Sequence, residues 1–115
     1  MLGASPIKML DMMLELLPVI DSLKQGIKHN EDFVPVYEQL NSILKKNGLS
    51  QIEVNVGDEF DHDTMECLMQ EESKIKEGKV AQVLSTGYML KDKILRTTKI
   101  SISKKIENKE NKEEN

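Results

Sequence analysis

Asp58, Glu59, Asp61, His62 and Asp63 crowd into one short stretch, and carboxylates beside an imidazole are the donor set of a metal site. Their spacing is not that of a calcium-binding loop of the helix–loop–helix type. Asp61 has a simpler reading as the cap of a turn leading into Thr64 and Met65. Cys67 with His62 raises a second chemistry, a thiolate nucleophile served by a base. That chemistry also needs a third group to orient the imidazole and a site for the oxyanion, and no residues present themselves for either role. Gly87-Tyr88 lacks the glycine pattern of both nucleotide-binding loops and reads as a turn within a sheet. The expectation is a protein without a catalytic group, a resident metal or a cofactor.

Composition points the same way. A chain of 115 residues makes one ordinary domain or two small modules. Phe33, Tyr37, Phe60 and Tyr88 are its only aromatic residues, so a core must be built from Leu, Ile, Val and the seven Met. The net charge of -4 arises from acids and bases mixed along the chain, with neither a basic stripe nor an aromatic platform to follow a phosphate backbone. Nucleic acid is therefore not an expected partner. Cys67 is the single cysteine, which excludes an internal disulfide and fits a reducing compartment. Lys8, Asp11 and Glu15 break up the apolar clusters of residues 9–20, leaving no run near the roughly 20 apolar residues of a membrane span. Residues 1–6 do not read as a secretory leader. The expected location is a bacterial cytoplasm, with a mitochondrial or other organelle matrix as the alternative.

The elements that must carry function follow from periodicity. Met9, Met13, Leu16, Ile20, Leu23 and Ile27 recur at alternating intervals of four and three, the seam of a helix lying along a partner. Leu10, Leu14, Leu17 and Val19 widen that face toward what a bundle requires. Met9, Met12 and Met13 could also form an adaptable binding groove, although core packing is the simpler reading. Pro18 removes an amide donor and crowds the carbonyl of Leu14, so a bend or a local restart is expected there. Asn30 or Asp32 caps a second helix, in which Phe33, Val36 or Tyr37, Leu40 and Ile43 with Leu44 repeat at helical spacing. Lys45 and Lys46 suit its C-terminal end, and Gly48 supplies a left-handed terminator after Asn47.

Beyond Gly48 the period falls to two, with Ile52, Val54 and Val56 alternating against Glu53 and Asn55. Turn pairs at Gly57-Asp58, Glu77-Gly78, Thr86-Gly87 and Lys91-Asp92 space out a small antiparallel sheet, with 80–84 and 94–102 as its clearest strands. From Lys105 the Lys/Glu/Asn run has almost no apolar residue to offset the entropy of ordering, so residues 105–115 are expected to form a disordered charged tail. The fold class is α+β. Residues 1–49 form a helical dimerisation region, and residues 50–104 form a small β domain. The apolar helical face exceeds what the second helix can cover, and self-association into a dimeric four-helix bundle resolves it. Tyr37, Leu40 and Leu44 join the six seam residues in that expected dimer interface.

These residues also resemble a known family. Leu16-Leu17-Pro18-Val19-Ile20-Asp21-Ser22-Leu23 is similar to the GrpE helix just before its bundle, and Gly48-Leu49 with Ile52 is similar to the link from bundle to sheet. Phe60-Asp61-His62 with Met65 and Leu68, then Gly87-Tyr88, Asp92, Leu95-Arg96, Ile100 and Ile102, resembles the spaced signature of the family's sheet module. The match runs in order from about Leu16 to Ser103. The chain departs from the pattern at Cys67 and Thr98, where small residues are usual, and at Asp32, where glycine is usual. The very long paired helix that precedes the bundle in the family is nearly absent.

The resemblance implies a co-chaperone with no chemistry of its own. Its sheet module would wedge against the nucleotide-binding domain of a DnaK-type ATPase chaperone and favour the open, ADP-releasing form, the activity of a nucleotide exchange factor. It implies Leu84, Lys93 and Ile102 on the contact face with Phe60 nearby, Lys93 standing where the family has Arg. Gln25, Lys28 and His29, at the end of the first helix, match contact positions but differ in residue type.

Overall fold

The computed structural model describes residues 6–106, and its secondary structure follows from local chemistry first. Helix α1 runs Pro6–Ile27 and is continuous through Pro18. It closes where the N–H groups of Lys28 and His29 reach the carbonyls of Gln25 and Gly26, and Asn30 reaches Gly26 as well. The Asn30 side chain accepts the Asp32 N–H at 2.9 Å, so the expected cap is real but serves a 3₁₀ turn, Glu31–Phe33. Helix α2, Val34–Lys46, continues from that turn with Pro35 in its first turn and no side-chain cap of its own. A Cβ on Gly26 would stand 3.0 Å from the exposed Phe33 ring, close enough that the ring would have to give by a few tenths of an ångström. At the far end of α2, the Asn47 N–H bonds the carbonyls of Ile43 and Leu44, and Gly48 takes φ +96°, the left-handed terminator that the sequence predicts.

Six strands follow: β1 (Leu49–Gln51), β2 (Met65–Glu72), β3 (Val80–Ser85), β4 (Tyr88–Leu90), β5 (Lys93–Arg96) and β6 (Thr98–Lys104). They form two three-stranded sheets, ordered β1-β4-β5 and β2-β6-β3. The described residues also divide into two compact units. One takes the residues up to Ser50 together with Met89–Leu95, and the other takes Gln51–Tyr88 and the residues from Arg96 onward.

In the first unit α1, the 3₁₀ turn and α2 pack on one another as a helical hairpin. Met13, Leu17 and Ile20 of α1, Leu44 of α2, Leu49 of β1 and Leu90 of β4 are its buried apolar residues. In the second unit β6 is the central strand, parallel to β2 and antiparallel to β3. Cys67 and Val83 flank Ile100 in register, and Val80 faces Ile102. Met65, Val80 and Ile100 make the core, with Val54, Cys67, Val83 and Ile102 packed against it.

Four expectations need correction. The sheet of the second unit is mixed, not wholly antiparallel, because a long crossover between β2 and β6 lets the chain return in the same direction. Ile52–Val56 alternates but is not a strand. Ile52 gives one backbone bond to Gly87, and the chain then turns at Asn55, leaving Val54 on the core and Val56 about half exposed. The single strand expected over 94–102 is split at Thr97, its halves joining different sheets. Asn30 caps the 3₁₀ turn and not α2 itself. The charged tail expected over 105–115 lies outside the described residues apart from Lys105 and Ile106.

Candidate functional site

The acidic stretch is taken up by its own turns. An Asp58 carboxylate oxygen accepts the Asn55 N–H at 2.8 Å. Asp61 Oδ1 accepts the Asp63 N–H at 2.9 Å, while the Asp61 carbonyl accepts from Thr64 and Met65 and turns the chain into β2. Glu59 accepts a hydrogen bond from Lys79 Nζ at 3.0 Å. That bond first, then the Lys79 charge, holds its carboxyl below the ordinary glutamate value against a small opposing desolvation. His62 Nδ1 lies 3.2 Å from Asp63 Oδ1, with both side chains largely in water. These groups do not converge, and among the described residues no three His, Cys, Asp or Glu side chains are placed to hold a metal ion. The Cys67 thiol donates to the Met69 carbonyl at 3.2 Å, across the irregularity in β2.

Gln25, Lys28 and His29 gather at the C-terminal end of α1, all three exposed. Leu84, on β3, is 39% exposed where the register with β6 shifts between Val83 and Ser85. Ile102 is half-buried against the core and has less side chain to offer. Phe60 is 37% exposed and follows the antiparallel bridge of Glu59 with Lys79. These three belong to the second unit. Lys93 opens β5 in the other sheet and is exposed.

A buried junction that residue spacing did not reveal fixes the end of β3 relative to β6. Thr98 Oγ1 accepts the Gly87 N–H at 3.1 Å, and Arg96 Nε donates to the Thr86 carbonyl at 2.8 Å. The Arg96 guanidinium stands 5.3 Å from the centroid of the Tyr88 ring, which is fully buried. A Cβ on Gly87 would stand 2.4 Å from the Thr98 nitrogen, so only glycine allows the two segments to approach this closely. Gly87-Tyr88 and Arg96 stand out in the sequence, but nothing in their spacing shows that they meet.

The helical hairpin presents a second apolar face. Met13, Ile20 and Leu44 of the expected dimer seam are already buried within one chain, whereas Met9, Leu16, Leu23, Ile27, Tyr37 and Leu40 are half-buried. Met12 and Val19 on α1, and Val36 and Ile43 on α2, are 46–53% exposed. Successive helical residues turn by about 100°. Met12, Leu16, Val19 and Leu23 therefore form a stripe about a quarter-turn from Met13, Leu17 and Ile20. Val36 and Ile43 stand in the same relation, in the same rotational sense, to Leu40 and Leu44. In two helices that face each other and run in opposite directions, equal rotations bring both outer stripes to one side of the hairpin.

Comparison with known proteins bears on what these surfaces do. The family model described as GrpE matches residues 7–104, and so spans both units. The GrpE protein of Methanothrix thermoacetophila is 38% identical over 91 residues, covering 78% of this chain and 51% of that protein. That of Staphylococcus carnosus is 34% identical over 100 residues, covering 77% and 50%. That of Picrophilus torridus is 37% identical over 97 residues, covering 82% and 51%. The chain spans about half the length of these curated relatives. With helical hairpin and strand module both inside the matched range, the chain belongs to the GrpE family.

Proposed function

We propose that this chain is a nucleotide exchange factor for a DnaK-type ATPase chaperone, acting as a homodimer and without catalysis, metal or cofactor of its own. The observation that carries the reading is the family match across residues 7–104, which takes in the helical face and the strand-borne surface together. An exchange factor needs only to bind the open form of its partner's nucleotide cleft more tightly than the closed form. Moving that equilibrium from 1:99 to 99:1 requires about 5.5 kcal/mol of differential affinity. A broad polar face anchored by Leu84 and Phe60 suits that demand better than a single exposed ion pair, worth about 1 kcal/mol at most.

The outer stripes, Met12, Leu16, Val19 and Leu23 on α1 and Val36 and Ile43 on α2, support self-association. Each helix has one apolar stripe for its neighbour within the chain and a second about a quarter-turn away, the pattern of a helix in a four-helix bundle. A second copy presenting the same face covers both. That feature also suits the alternative reading, a dimeric interaction module with no exchange activity. Release of labelled ADP from a DnaK-type chaperone, with and without the chain, separates the two. Faster release is expected, and an unchanged rate with a folded, dimeric chain leaves only the interaction module.

A further inference from the structure

The described lysines differ in what holds them, and exposed ones occur in both units, Lys74 and Lys76 among them in the second. In the second unit Lys79 is held by Glu59 at 3.0 Å and Lys99 by Glu66 at 2.7 Å. In the first unit Lys45, Lys46, Lys91 and Lys93 are exposed, and none pairs with a carboxylate among the described residues. The fold draws them together. The Lys91 N–H donates to the Gly48 carbonyl at 2.7 Å, and the Gly48 N–H donates to the Lys45 carbonyl at 3.0 Å. The Lys91 Cγ lies 3.0 Å from the point where a Cβ on Gly48 would stand. The tip of the β4–β5 hairpin is thereby joined to the last turn of α2. Asp92 is the one carboxylate on that tip, and α2 has none after Glu38. Ile94, 41% exposed, adds an apolar residue to the same hairpin.

Lys45 and Lys46 have an ordinary role at the negative end of a helix. Lys91 has none. It holds φ +57°, the only positive φ of a non-glycine residue in the described chain, although glycine would adopt that conformation without strain. Strain retained at an exposed position is a reason to look for what its side chain does.

We propose that Lys45, Lys46, Lys91 and Lys93, around Ile94, form one docking patch for an acidic surface of the chaperone, and that the patch governs the rate of encounter. The proposal rests on the exchange-factor reading and extends it. The family resemblance brings Lys93 alone to the contact, and the fold adds the other three. An exposed cluster of one sign with little countercharge raises association rates by roughly 10- to 1,000-fold, an effect that falls as salt rises.

The test is stopped-flow association of the full chain with a nucleotide-free DnaK-type chaperone over a range of salt concentrations. Lys45→Glu with Lys46→Glu is expected to slow association about tenfold at low salt and to flatten its salt dependence. Lys91→Gly is expected to slow association while raising the thermal midpoint, a combination that a merely structural residue would not give. Lys74→Glu with Lys76→Glu makes the same change in net charge on an exposed loop of the second unit and is expected to leave the rate unchanged. Equal slowing by both double variants, or no slowing by Lys45→Glu with Lys46→Glu, overturns the patch while leaving the exchange-factor reading in place. No association by the unaltered chain overturns both.

Discussion

At the scale of single residues, close approach and charge make the sharpest predictions. Gly87 stands where any Cβ would collide with the Thr98 backbone, so Gly87→Ala is expected to lower stability by about 3 kcal/mol in chemical denaturation, through overpacking of a buried contact. The Glu59–Lys79 pair gives a pH prediction. Because the folded carboxyl titrates below its ordinary value, its contribution to stability is present in full above that value and lost as pH falls through the lowered folded one. A side-chain NMR titration is expected to show a depressed Glu59 midpoint that Lys79→Ala moves back up. An unmoved midpoint would mean that another group sets it. Sequence made the acidic stretch conspicuous but not its partner, since Lys79 is brought to Glu59 by an antiparallel bridge between segments 20 residues apart.

Among the elements, β6 organises the second unit. Ile100 is fully buried with Cys67 on one side and Val83 on the other, so Ile100→Ala is expected to cost roughly 2–5 kcal/mol, read as a lowered denaturant midpoint. The helices were legible because periodicity and the Gly48 terminator are short-range effects that act along the chain itself, whereas the expected cap at Asn30 serves the 3₁₀ turn before α2. The strands were less so. Alternation at Ile52, Val54 and Val56 looks like a strand, yet a strand exists only where a neighbour pairs with it, and this segment has one backbone bond and then a turn closed by Asp58. The continuous apolar pattern over 94–102 likewise hides the break at Thr97, where the chain leaves one sheet for the other. Parallel pairing of β2 with β6 was invisible because no local signal marks which strand a long crossover returns beside.

For the whole molecule, the question is what covers the outer helical stripes. Val19→Asp with Ile43→Asp introduces charge where both side chains are about half exposed in the single chain, so the helical hairpin itself is expected to survive. Sedimentation equilibrium is expected to show a dimer for the unaltered chain and a shift toward monomer for this variant, with helical circular dichroism retained. A variant that stays dimeric would place the contact elsewhere. By itself the sequence determined that two amphipathic helices precede a strand-rich module, where the second helix ends, and that the chain resembles GrpE, because composition, period and a glycine terminator are written residue by residue. Only the tertiary structure decided which apolar residues are already covered, since Met13 and Met12 are adjacent in sequence and differ only in the direction the helix turns them. Tertiary structure also decided that Lys91 meets the end of α2, because that contact depends on a hydrogen bond between residues more than forty positions apart, which no local pattern encodes.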